Sequence, residues 1–317
     1  TKLIIRDGVA VGVELIQHSR SQTFSAQAEI ILTAGAIGSP HILQLSGIGS
    51  GKLCQSHGIV NVCDQPNVGK HLQDHLGINY FHLANRPTLN NVLGSWPHLI
   101  IAGVNYIMRR KGPLSLGVNQ LGGLVRATPD ASRLDTQLYI NPITYSVTDD
   151  DTRRLTKPDP APGFALSFNS CRPYSAGSVY IKSADAAMPP AIHGNYLDDQ
   201  RDIEDVLRMA RFIGRMQNSP SVQKLLAAPP ETNLLALSDN EIIDDFRARS
   251  GTVFHPCGTC RMGPDRRHSV VDPQLRVHGV GKLRVADAAI FPNITSANTN
   301  APTIAVAHKA ADLILQS

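Results

Sequence analysis

The hydrophobic pattern of the first 35 residues reads as β structure, with alternating apolar positions in Val9–Ile16. Lys2–Arg6, a turn at Asp7-Gly8 and Val9–Ile16 predict a hairpin. Glu29–Thr33 predicts a third strand that runs into the small-residue turn Ala34-Gly35-Ala36. A helix is expected over Pro40–Leu45, with Ser39 as N-cap and Pro40 at its first position. Ser46-Gly47-Ile48-Gly49 should stop it. A short apolar strand feeding a glycine turn and then a helix is the geometry of an α/β ligand-binding edge. From Phe81 the texture changes to an apolar helix near Leu99–Met108 and strand-like runs at Leu121–Val125, Gln137–Ile140, Phe164–Phe168 and Ser178–Lys182. The polar stretch Thr148–Pro162, with Asp149-Asp150-Asp151 and Arg153-Arg154, reads as a solvated loop, with a lid as the alternative. Gln200–Met216 carries Ile203, Val206, Leu207, Ala210 and Ile213 on one helical face, and Ser238 with Glu241 forms a capping box for the next helix. The tail returns to a strand at Leu283–Val285, a turn after Asp287 and a closing helix over Thr303–Leu315.

A chain of 317 residues predicts about two domains. Hydrophobic residues at 42% and charged residues at 18% exclude a disordered chain. The net charge is only +4 and the longest basic run is Arg109-Arg110-Lys111, so no nucleic-acid partner is expected. Five cysteines do not make a disulfide framework and fit a reducing, cytoplasmic compartment. The two longest uncharged stretches, between Glu29 and Lys52 and between Arg86 and Arg109, are broken by Gly, Pro, Asn and His. No integral membrane segment is therefore expected. Leu99–Met108 reads as a buried or surface-resting helix, and membrane association stays open. The chain opens in mid-strand without an initiator Met, so residues are expected to precede it, and it says nothing of a targeting signal.

Several chemical signatures are nearly present. Gly47-Ile48-Gly49-Ser50-Gly51-Lys52 has neither the P-loop spacing nor the third glycine of G-x-G-x-x-G, and reads as a helix-ending turn. His255-Pro256-Cys257-Gly258-Thr259-Cys260 lacks the His-x-Glu of a zinc deaminase and the second ligand pair of a structural zinc site. Its thiols are expected to be buried or incidental, with no metal.

Three blocks in order resemble the glucose–methanol–choline (GMC) family of flavin-dependent oxidoreductases, on the choline dehydrogenase and alcohol dehydrogenase side. The first is Gly35-Ala36-Ile37-Gly38-Ser39-Pro40-His41-Ile42-Leu43-Gln44-Leu45-Ser46-Gly47-Ile48-Gly49, continued by Asn67-Val68-Gly69-Lys70-His71-Leu72-Gln73-Asp74-His75. The second is Arg172-Pro173-Tyr174-Ser175-Ala176-Gly177-Ser178-Val179, with Asn195-Tyr196-Leu197. The third is His255-Pro256-Cys257-Gly258-Thr259-Cys260-Arg261-Met262-Gly263, then Leu283-Arg284-Val285-Ala286-Asp287-Ala288 and Asn298-Thr299-Asn300-Ala301-Pro302-Thr303. His71 and Ala176 stand where the family commonly has Asn and Arg.

The resemblance implies an α/β chain, α+β overall: part of an FAD-binding, Rossmann-like domain and a substrate domain with a mainly antiparallel sheet and helices. Its implied division is 1–80 for part of the FAD-binding domain, 81–270 for the substrate domain, and 271–317 for a returning FAD-binding segment. The family's C-terminal region would begin near residue 172. It also implies that the N-terminal dinucleotide-binding lobe is absent from these residues. FAD is the implied cofactor, and the reaction is oxidation of an alcohol to an aldehyde by hydride transfer to flavin N5. His255 matches the family's general base and Asn298 its partner, an amide that donates to the developing alkoxide. Ala34, Gly35, Asp287, Ala288, Asn300, Pro302 and Thr303 would hold the flavin, with the helix after Pro302 pointing its N-terminus at it. His71, Asp74 and His75 read equally as cofactor neighbours or as a solvated loop. Substrate-lining residues are expected around Leu114–Asn119 and Phe164–Asn169. The partner is a small-molecule alcohol, aliphatic or simple aromatic as readily as choline, and the electron acceptor is unassigned. A catalytically inactive remnant or a non-catalytic binding module of the same family is the competing reading.

Overall fold

The computed structural model describes residues 1–18, 20–117, 119–150 and 153–316, and of 147–150 and 153–156 the backbone alone. The chain forms two compact units, one of residues 1–75, 172–202 and 252–317, the other of residues 76–171 and 203–251.

In the first unit, Lys2–Arg6 and Val9–Gln17 pair antiparallel, and Arg20–Ser25 adds an edge strand that the sequence pattern did not reveal. Asp7 and Gly8 both take positive φ, 50° and 75°, as a tight turn that follows the right-handed strand twist requires. Ile30–Leu32 then pairs in parallel with Leu283–Val285, Ile30 opposite Leu283. This pair is packed among Leu3, Ala10, Leu43, Ile48, Val277 and Ala289.

The helix that follows spans Gly35–Leu45, starting at Gly35 rather than Pro40, with Ala34 rather than Ser39 at its N-cap. Pro40 therefore lies inside the helix, where it has no N–H for the Ala36 carbonyl. The Thr259 hydroxyl donates to that carbonyl instead, at 2.6 Å. Ser39 does not cap; its hydroxyl donates to Asp287 Oδ2 at 2.6 Å. Gly47 ends the helix with φ 78°, and a Cβ there would lie 2.2 Å from the Val60 carbonyl oxygen.

The implied substrate domain of 81–270 does not match the division of the chain, because residues 172–202 and 252–270 pack with the first unit. Strand Gly177–Tyr180 lies between Ala191–His193 and Lys70–Leu72. Buried Gln44 locks it there: Nε2 donates to the carbonyls of Val68 at 3.2 Å and Val179 at 3.0 Å, and Oε1 accepts from Ile181 N–H at 2.9 Å. Gln73 and Cys257 exchange backbone hydrogen bonds of 3.0 and 2.9 Å. Val179 and Ile181 lie more than a hundred positions from Gln44, and Cys257 from Gln73, beyond the reach of local pattern.

The second unit is built on an antiparallel sheet in which Leu76–Leu83, Gly163–Ser170, Thr136–Asn141 and Leu121–Val125 lie side by side in that order. Its buried residues include Ile78, Tyr80, Phe164, Leu166 and Phe168 from the strands, with Val206, Met209, Ala210, Ile213 and Phe246 from helices Gln200–Gln217 and Asp239–Arg249. The second helix starts with the expected box, Ser238 and Glu241 capping each other. The stretch read as a solvated loop or lid is instead an antiparallel hairpin, Tyr145–Asp150 against Arg153–Pro158. Asp151 and Thr152 of that stretch lie outside the described residues.

Burial lowers the pKa of His82 to about 4, since the interior disfavours the charged ring. The unfolded chain then binds the extra proton between pH 6.5 and about 4. Stability is complete above pH 6.5 and falls as the pH drops through that window, by up to about 3 kcal/mol. Urea unfolding of His82→Leu is expected to lack that part of the acid slope. An unchanged slope would refute the assignment.

Candidate active site

His255 sits in the first unit on a left-handed turn, with Phe254 at φ 63°. The turn is held by Thr252, whose Oγ1 accepts the Phe254 N–H at 2.9 Å and donates to Asp74 Oδ2. Asp74 is buried and is the hub of the site. Its Oδ1 accepts the His255 backbone N–H at 2.9 Å and its Oδ2 also accepts the Tyr196 hydroxyl at 2.7 Å. Burial, then hydrogen bonding to Asp74, holds the Tyr196 phenol well above its usual range, so it remains a donor.

The His255 ring meets a partner at each nitrogen. Nδ1 lies 3.0 Å from Nδ1 of fully buried His75, the two rings perpendicular, and Nε2 lies 3.0 Å from Asn298 Nδ2. One tautomer satisfies both contacts: His255 donates from Nδ1 to His75, and its Nε2 lone pair accepts from the Asn298 amide. Burial lowers the His255 pKa, opposed by the negative charge of Asp74. The ring is therefore neutral at pH 7, with its basic nitrogen toward the exposed Asn298 side chain.

The structure places His255 and Asn298 side by side. It adds Tyr196 and Thr252, and it sets Asp74 and His75, whose sequence reads equally as cofactor neighbours or as a solvated loop, against His255. The signal for both was their polarity within a segment whose Val68 and Leu72 are apolar and buried.

Of the residues expected to hold a flavin, Ala34, Gly35, Asp287 and Ala288 follow the carboxyl ends of the parallel strands, where ligands of α/β sheets bind, and Asn300, Pro302 and Thr303 open the C-terminal helix. Gly35 has φ 78°, and the space its missing Cβ would take is empty to 4 Å. Asp287 faces the same turn, but its carboxylate is spent within the protein. Oδ2 accepts the Gly35 N–H at 2.9 Å and the Ser39 hydroxyl, and Oδ1 accepts the Ala289 N–H at 2.7 Å. The helix Asn300–Leu315 begins three residues earlier than expected. It has no side-chain cap and no acid in its first turn, and Asn300 and Ala301 are exposed. Its Thr303 hydroxyl turns back to the Thr299 carbonyl at 2.7 Å. A helix N-terminus with open N–H groups and Pro302 in its first turn suits an anionic or electron-rich group, so these residues fit a flavin.

Cys257 and Cys260 are buried, and burial pushes the Cys257 thiol up to about 12. Of the segments expected to line a substrate, Leu114 and Leu116 are exposed and Val118 lies outside the described residues. Phe164, Leu166 and Phe168 are core residues of the second unit.

His255 and Asn298 stand side by side in the unit that carries the parallel strand pair and the Gly35 turn. The chain belongs to the GMC oxidoreductase family: the family's N-terminal model matches residues 1–77 and its C-terminal model residues 173–307. The expectation that the N-terminal dinucleotide-binding lobe is absent is therefore not supported. Among curated relatives, the chain is 38% identical over 321 residues to the alcohol dehydrogenase [acceptor] of Pseudomonas putida, covering 100% of this chain and 56% of that protein. It is 34% identical to the mitochondrial choline dehydrogenase of Homo sapiens, covering 96% and 50%. A formate oxidase structure superposes with a TM-score of 0.89 at 27% identity, over 99% of this chain and 59% of that one. An FAD-dependent oxidoreductase from Chaetomium thermophilum superposes with a TM-score of 0.83 at 25% identity, over 99% and 60%. The chain spans about half the length of the curated relatives it matches.

Proposed function

We propose that this chain carries the proton-abstracting residues and part of the flavin cradle for FAD-dependent oxidation of an alcohol to an aldehyde, with His255 as general base and Asn298 as its partner. The observation that supports this most directly is the 3.0 Å contact between His255 Nε2 and Asn298 Nδ2, with His75 behind the other ring nitrogen. Bound FAD supplies the acceptor for the hydride that leaves the substrate carbon. An alcohol oxygen seated between the two side chains takes over the Asn298 hydrogen bond from His255 Nε2, gives its proton to that freed nitrogen, and accepts from Asn298 as negative charge develops. Asp74 holds the backbone of His255 in place, and its charge favours the imidazolium that results. Ala34, Gly35, Ala288, Asn300, Pro302 and Thr303 hold the cofactor, and Asp287 shapes the Gly35 turn from behind.

The relatives named alcohol dehydrogenase and choline dehydrogenase support an alcohol as substrate. Five buried, free cysteines suit the reducing cytoplasm, which we take as its location. Among the described residues no helix is long and apolar enough to cross a membrane.

The test is flavin absorbance of the full-length purified protein, followed by reduction of an artificial acceptor with a panel of primary alcohols and choline. Bound flavin with alcohol-dependent turnover supports the reading. Bound flavin with no turnover on any alcohol supports the non-catalytic module instead. The acid limb of kcat/KM is expected below pH 6.5, because only neutral His255 accepts a proton and burial lowers its pKa. A limb above 6.5 would contradict the assignment of that base.

A further inference from the structure

A neutral imidazole carries one proton for two nitrogens, so the group facing one nitrogen decides whether the other holds a lone pair. Where a histidine acts as base, a carboxylate often fills that place. Here Asp74 is engaged elsewhere. Its oxygens accept the His255 backbone N–H and the Tyr196 and Thr252 hydroxyls. Among the described residues the ring nitrogens of His255 meet His75 and Asn298 alone.

The backbone holds His75 in that place. Gln73 and Cys257 form an antiparallel bridge on one side of the two histidines, with hydrogen bonds of 3.0 and 2.9 Å. On the other side the His75 carbonyl accepts the Val253 N–H at 3.1 Å. The rings stand perpendicular, their centroids 5.2 Å apart. His75 is 0% exposed, so solvent offers the His255 Nδ1–H no rival acceptor on that side.

We propose that His75 is the positioning residue of the base: its Nδ1 accepts the His255 Nδ1–H and thereby leaves the lone pair on His255 Nε2. The proposal rests on the reading of His255 as the base. Proton counting then assigns His75 as well. Its Nδ1 holds a lone pair, so its own proton sits on Nε2 and the ring is neutral. When the substrate O–H bond breaks and the Nε2–H bond forms, no second proton moves. The Nδ1–H···Nδ1 hydrogen bond becomes charge-assisted and strengthens as His255 gains its charge. A neutral acceptor orients the ring without the added attraction for a proton that a carboxylate would bring, so the resting base keeps its lone pair.

The test is long-range proton–nitrogen NMR of the full-length protein labelled with nitrogen-15 histidine, the His255 signals being identified by their loss in H255A. Wild type is expected to show the Nδ1–H tautomer at His255. H75L, which offers no acceptor, should shift His255 to the Nε2–H tautomer. Its kcat should fall on the order of a hundredfold, with KM within about threefold of wild type and flavin absorbance retained. H75N sets an amide oxygen near the position of Nδ1, and is expected to keep the Nδ1–H tautomer and a kcat within about fivefold of wild type. An Nε2–H tautomer in wild type or in H75N would overturn the proposal, and both are read even where H75L fails to fold. Equal loss of kcat in H75L and H75N would overturn it too, since a merely structural role does not distinguish an acceptor from an apolar side chain. Turnover retained in H255A would instead remove the base itself, a result independent of the tautomer seen in the spectrum.

Discussion

Replacing His255 with alanine is expected to lower kcat of the full-length protein by about 10²–10⁴-fold while bound-flavin absorbance is retained. The loss follows from the geometry. Nε2 is the basic nitrogen beside Asn298, and none of Asp74, Tyr196 and Thr252 is a substitute. The Asp74 carboxylate is buried and already accepts three hydrogen bonds, two from the Tyr196 and Thr252 hydroxyls. Flavin retention is expected because the Gly35 turn and the Asn300–Leu315 helix do not rely on the His255 ring. Stopped-flow reduction of the flavin by substrate measures the step directly. A rate within threefold of wild type would remove His255 from the mechanism.

Replacing Asp287 with alanine is expected to destabilise the first unit by about 4 kcal/mol and to weaken flavin binding with it. The carboxylate accepts from Gly35 N–H, the Ser39 hydroxyl and Ala289 N–H, and Asp287 and Ser39 are both buried. Each buried donor left without a partner costs about 1–3 kcal/mol. A loss near 4 kcal/mol is a large part of the stability of an ordinary domain. The helix Gly35–Leu45 would lose its first turn, since Asp287 is what permits it to start ahead of Pro40. Urea denaturation followed by circular dichroism checks this. A change below 1 kcal/mol would show that water replaces the carboxylate without cost.

The two predictions concern residues that differ in how they were legible. His255 was visible because a histidine followed by Pro-Cys-Gly-Thr-Cys, with an Asn-Thr-Asn segment downstream, is a local string. Asp287 was visible as a residue, but its role was not. A motif names the side chain and leaves open which hydrogen bonds it makes. The structure spends its carboxylate on the protein, 252 residues away at Gly35.

Asp74 and His75 were harder still. They follow a segment of Gly, Lys, His and Gln that reads as solvated, and their meaning depends on His255, 180 and 181 positions away. The helix start at Gly35 was misplaced because Pro40 and Ser39 obey the local rule for a first turn. That rule gives way once Thr259 and Asp287 supply the partners that Ala36, Gly35 and Ser39 need.

By itself the sequence determined what depends on neighbours within a few positions. The Lys2–Gln17 hairpin, the Ser238–Glu241 cap and three sheet strands of the second unit, though not Leu76–Leu83, follow from side-chain period and turn chemistry, and the identities of His255 and Asn298 from local motifs. Tertiary structure alone decided the division of the chain, the tautomer of His255 and the exposure of the helix Trp96–Arg109. A buried polar group is stable only with a partner, and folding takes that partner from wherever in the chain it lies nearest in space. An apolar face is buried or bare according to what packs against it, which no count of residues along the chain reveals.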